Sequence, residues 1–128
     1  MKSKLIAVLA AAVIFLAVSR SMFAHHGGAQ YDAAHAVTVT GTVTEYRFTN
    51  PHVQIHFDAK DENGNVEKWI AETASPQRLF GFGWNAKTLK PGDKITVTGA
   101  QLKDGQKIMS IIKLTGGNAP VLTKGAAE

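Results

Sequence analysis

Apolar residues recur along this chain in two ways: one unbroken block near the start, then short alternating runs separated by turn residues. The block, Leu5 to Val18 ("LIAVLAAAVIFLAV"), carries no charged or polar side chain. From Val37 onward the pattern has period two, the spacing of strands with one buried face. "VTVTGTVTEYRF" (37–48) puts Val37, Val39 and Val43 on one face and threonines on the other, and the apolar phase then moves to Tyr46 and Phe48. A phase change of that kind needs a bulge or a bend, and Gly41 is the expected place for it. "VQIHFD" predicts a second strand with Val53, Ile55 and Phe57 inward. Asn63-Gly64 predicts a hairpin turn. The third strand, Val66 to Glu72, follows it, with its inward face open between Trp69 and Ile70.

Ser75 as N-cap and Pro76 at the first helical position predict a short helix, stopped after about two turns by Gly81 or Gly83. Phe80, Phe82 and Trp84 bracket it and are expected to pack into one end of the core. A Pro91-Gly92-Asp93 turn then leads to a strand with Ile95 and Val97 inward, and Asp104-Gly105 turns the chain into "QKIMSIIKL". The predicted fold is all-β: a small five-stranded OB-like barrel with one short helix between strands 3 and 4. A generic antiparallel barrel or meander is the alternative. The barrel is expected over 37–115, after a histidine-containing segment, 25–36, and before a loose tail, 116–128.

The apolar block changes where this domain is expected to reside. With Lys2 and Lys4 before it, the block has the charged and apolar regions of a secretory signal. It is also shorter than the roughly 20 residues of a membrane span. Residues 1–24 are therefore expected to be removed, leaving a periplasmic or secreted protein that is not embedded in the membrane. The chain has no cysteine, so neither a lipidated cysteine anchor nor a disulfide is available. Cleavage after Ala24 would start the mature chain at His25. Cleavage after Ser21, where Ser19 and Ser21 better fit a small-x-small site, would start it at Met22. Loss of Lys2, Lys4 and Arg20 lowers the formal net charge from +4 to +1. The remaining lysines are scattered rather than striped, so no nucleic-acid partner is expected.

"AHH…YD", "FTNPH", the Gly83-Trp84 pair and "LKPGD" occur together in this order. In this combination the chain resembles a family of small exported bacterial proteins catalogued as a domain of unknown function. The resemblance covers nearly all of the mature chain. It implies export and a compact β-rich domain, and no activity.

Candidate chemistry narrows to histidine. Without cysteine there is no thiol nucleophile. Ser75 is explained as a helix cap, Ser110 falls in a predicted strand, and neither lies in a G-x-S-x-G elbow. Asp58, Asp61 and Glu62 cluster at a hairpin as solvated turn residues, and no glycine-rich phosphate loop is present. The chain is therefore read as a binding domain and not as an enzyme. Its five histidines are His25, His26, His35, His52 and His56. His35 is expected on the surface. His52 and His56 share outward parity with Gln54, about 13 Å apart along a strand. If the mature chain begins at His25, its amine and imidazole together with a second histidine give the three-nitrogen histidine brace, an arrangement that favours copper. The metal candidates are His25, His26 and His52, with copper or another transition metal as the possible cofactor. The competing reading makes His25 and His26 a solvated start followed by flexible Gly27-Gly28. In that case the domain is a metal-free module for a small ligand, glycan or protein partner, with His56 and Trp69 as groove candidates on strands 2 and 3.

Overall fold

The computed structural model describes residues 28–127. A 3-10 turn, Gly28–Gln30, leads into β1 (Tyr31–Arg47), β2 (Gln54–Lys60), β3 (Val66–Glu72), α1 (Pro76–Phe80), β4 (Lys94–Leu102), β5 (Ile108–Gly116), β6 (Leu122–Thr123) and α2 (Lys124–Ala127). The sheet order is β3-β2-β1-β4-β5-β6, and β3 also pairs with β5. That last ladder is parallel, with Ile70 opposite Ile108 and Glu72 opposite Ser110. It partly closes the antiparallel sheet into a ring. This is the OB-like arrangement the strand order predicted.

β1 makes the ring possible because it serves two ladders. Its first half pairs with β4, from Tyr31 opposite Leu102 to Thr42 opposite Lys94. Its second half pairs with β2, from Gly41 opposite Ala59 to Arg47 opposite Gln54. Gly41 belongs to both. A Cβ there would collide with the Asp58 carbonyl oxygen and stand 2.7 Å from Phe57 Cδ2. The glycine is thus needed for close approach at the corner. The bulge expected at Gly41 lies three residues later: Val43 faces Phe57 and Glu45 faces His56, leaving Thr44 as the extra residue. This insertion moves the inward phase from Val43, 1% exposed, to Tyr46 and Phe48, which pack against the core from its edge.

Val53, Ile55 and Phe57 are buried as their alternation predicts. They meet Trp69, Leu79, Trp84, Ile95, Val97, Met109 and Leu114 in one core. The open question on β3 is resolved in favour of Trp69, which is 5% exposed and stacks on Phe57 with ring centroids 6.4 Å apart. Trp69 sits directly opposite Phe57 in the β2–β3 ladder, so register carries it to the inner face and turns Ile70 outward. α1 begins where expected, with Pro76 at its start and the Leu79 N–H donating to the Ser75 carbonyl at 3.1 Å. The Ser75 hydroxyl itself makes no capping bond.

Both ends of the barrel differ from the sequence expectation. β1 begins at Tyr31, inside the segment expected to precede the barrel, and Tyr31 joins Ala100 and Leu102 in a small second cluster. The expected loose tail supplies a sixth strand. Leu122 lies opposite Leu114 and is fully buried, a burial that stabilises the fold by roughly 1.5–3 kcal/mol.

Candidate functional site

The outward face of β2 is polar because its inward positions are filled by Val53, Ile55 and Phe57. Cross-strand register places Gln54 opposite Glu72 and His56 opposite Ile70 on β3. Glu72 is the hub of this face. Its Oε1 accepts from Gln54 Nε2 at 2.6 Å, and its Oε2 accepts from the Tyr31 hydroxyl at 2.8 Å. Burial, followed by the Glu72 hydrogen bond and charge, raises the Tyr31 pKa well above its ordinary value. Tyr31 therefore stays a neutral donor. Two further contacts hold the chain before it: the Lys103 N–H donates to the Gln30 carbonyl at 3.0 Å, and Lys103 Nζ to the Ala29 carbonyl at 2.9 Å. The residues that follow the histidine pair in sequence are thus fastened to the barrel, beside β3.

His52 stands at the same end of β2, exposed and two residues before Gln54. The peptide bond between Asn50 and Pro51 before it is cis. Its Nδ1 lies 3.2 Å from the Thr73 carbonyl oxygen. A carbonyl only accepts, so this contact assigns the proton to Nδ1 and puts the lone pair of the neutral ring on Nε2. Metal-binding imidazoles are commonly oriented in this way. His25 and His26 lie outside the described residues. Among the described residues no group of three histidine or carboxylate side chains converges to hold a metal ion. His52 precedes β2 and His56 lies within it.

His56 occupies a different environment. It is half-buried, and its Nε2 is fully enclosed without a hydrogen-bond partner among the described residues. Burial, aided by the nearby Arg47 charge and opposed by Glu45 and Glu72, holds its pKa below the ordinary 6.5. It borders a cleft of about 370 Å³ lined by Thr44, Glu45, His56, Phe57, Asp58, Lys68, Trp69 and Ile70. Trp69 was expected to line an exposed groove. It contributes only an edge, because its ring is committed to Phe57, while its Nε1 donates to Glu67 Oε2 at 3.2 Å and Lys107 Nζ lies 5.1 Å from the ring centre. His35 is on the surface, with its Nδ1 3.1 Å from the Asp32 carboxylate. Glu72 was not singled out from the sequence. An isolated glutamate has no periodic signature, and only register brings it to Gln54 and Tyr31.

No helix among the described residues is long and apolar enough to cross a membrane. No curated protein matches the chain. Among solved structures, a similar one is the mitochondrial single-stranded DNA binding protein Rim1 of S. cerevisiae, 6% identical with a TM-score of 0.49 over 66% of this chain and 95% of that one. A family profile matches residues 12–110, from within the apolar block to the middle of β5, and by that match the chain belongs to the family of unknown function DUF6152.

Proposed function

We propose that this protein is an exported, periplasmic OB-like binding domain that holds copper or another transition metal through His25, His26 and His52. The observation that carries this reading is the His52 ring, with Nδ1 on the Thr73 carbonyl and its lone pair on Nε2. The Tyr31–Glu72 bond adds to it, because it anchors the N-terminal chain one residue along from Thr73. From Tyr31, the five residues back to His26 extend to at most about 18 Å, so a metal held by both would sit near this end of β2. If processing leaves His25 first, its amine and imidazole supply two nitrogens, and nitrogen donors suit Cu(II). The protein's part is binding, with no catalytic step assigned.

Intact mass of the exported protein tests the N-terminus, and calorimetry with Cu(II) tests the site. The His25-initiated protein should bind copper. One extra residue before His25 should weaken binding strongly, His52→Ala should weaken it, and His35→Ala should leave it unchanged. Binding should fade as pH falls through about 6.5, where free imidazole gains its proton. Absence of copper binding by the His25-initiated protein would overturn the metal reading. The second reading, a metal-free ligand module, is favoured by the cleft beside His56. It predicts ligand-induced shifts confined to His56 and Lys68 in metal-free protein.

A further inference from the structure

Helix α1 and the loop after it turn apolar side chains toward solvent. Leu79 is the buried residue of α1, whereas Phe80 is 61% exposed, Phe82 46% and Val121 60%. These side chains form one patch. The Phe80 ring meets Phe48 edge-on at 5.2 Å. A Cβ on Gly83, next to Phe82, would stand 3.6 Å from Cγ of Pro120, next to Val121. Arg78 Nη2 donates to the Gly125 carbonyl at 2.9 Å, which joins α2 to the same surface.

The helix and loop that carry the patch are basic. Residues 73–92, which contain α1 and its loop, carry Arg78, Lys87 and Lys90 and no carboxylate. Lys124 stands next to Gly125, whose carbonyl Arg78 holds. The acids that flank residues 73–92 are already engaged: Glu72 accepts from Tyr31 and Gln54, and Asp93 accepts the Lys90 backbone N–H at 3.0 Å. Glu128 lies outside the described residues. Lone exposed apolar residues are ordinary on protein surfaces. Exposed aromatic rings on a basic helix and loop are not, and they match a lipid interface: rings enter the boundary between headgroups and acyl chains while cations meet lipid phosphates.

We propose that this face docks the domain peripherally on the surface of an anionic membrane. A nucleic acid would instead call for an extended cationic track with many phosphate contacts, and here a few cations accompany exposed apolar side chains. The proposal uses none of the residues assigned to the metal, so its test reads separately from copper binding.

The test uses the full chain as the producing cell processes it, with vesicles of phosphatidylglycerol or of phosphatidylcholine alone. Flotation should recover the protein with the anionic vesicles and not with the zwitterionic ones. Phe80→Ser with Phe82→Ser should lower recovery by about tenfold, and Lys87→Glu should lower it several-fold. Val66→Ser, at an exposed apolar site on the β2–β3 hairpin (59% exposed), should have no effect. Retained residues 5–18 would themselves carry a chain to lipid, so a Phe82→Trp variant supplies a local readout: its added fluorescence should shift to the blue and be quenched by brominated lipid. Four outcomes would overturn the proposal: no binding, equal binding to both vesicle types, no sensitivity at positions 80 and 82, or the same residues serving single-stranded DNA instead of vesicles.

Discussion

Glu72 receives hydrogen bonds from two distant parts of the chain, Tyr31 and Gln54. Tyr31→Phe deletes one of them and keeps the ring's packing against Ala100 and Leu102. It should cost about 1–2 kcal/mol in denaturant unfolding, toward the low end for a bond to a charged group because Glu72 is partly exposed. The same tyrosine sets an alkaline limit. Its folded pKa is raised above the ordinary 10, so its contribution is full below pH 10 and is lost as pH climbs above it. Stability should decline beyond pH 10, and less steeply in Tyr31→Phe. His56 has the opposite sign. Its folded pKa is lowered from 6.5, so stability present above pH 6.5 is lost as pH falls below it. An NMR titration should place the His56 midpoint under 6.5.

Strands and turns account for what could be read from the chain and what could not. The β2–β3 hairpin was legible because Val53, Ile55 and Phe57 alternate without interruption and Gly64, at φ +83°, supplies the turn. The phase change announced the bulge, and Gly41 marks the corner beside it, where β1 pairs with both β2 and β4. Gly41 is a glycine for closeness to β2, so Gly41→Ala should destabilise by about 1–3 kcal/mol, as forced overpacking does, while Thr44, the extra residue, has no positive φ that would call for glycine. The barrel's two outer pieces were illegible for one shared reason: Tyr31 and Leu122 each bury a single side chain, and one residue has no period. Leu122→Ala should nevertheless cost about 2–5 kcal/mol in thermal or denaturant unfolding. The candidate site divides the same way. Outward His52 and His56 follow from parity. The Glu72 hub depends on which residue of β3 faces which residue of β2. The face of Trp69 stayed open because β3 offers apolar residues on both faces and only its pairing decides between them.

For the whole molecule, the formal charge of +1 that the proposed removal of residues 1–24 would leave predicts no tight, salt-sensitive binding to DNA or RNA, and a titration at physiological ionic strength checks it. Fractionation should find a shortened chain in the periplasm, whereas full-length protein in the cytoplasm would contradict the proposed export. The double duty of β1 has a consequence in time as well as in space. Its second half finds β2 within a few residues, but its first half waits for β4: Thr38 and Thr98, whose hydroxyls meet at 2.9 Å, are 60 positions apart. Contacts that distant close large loops before they give any return, which places such topologies among domains folding in milliseconds to seconds rather than microseconds. A ribosome or a secretion channel that has delivered β1, β2 and β3 has delivered a meander with an unpaired edge. The ring cannot shut until β5 has also arrived, so the chain stays pliable for most of its delivery, and stopped-flow refolding should show its main phase no faster than milliseconds.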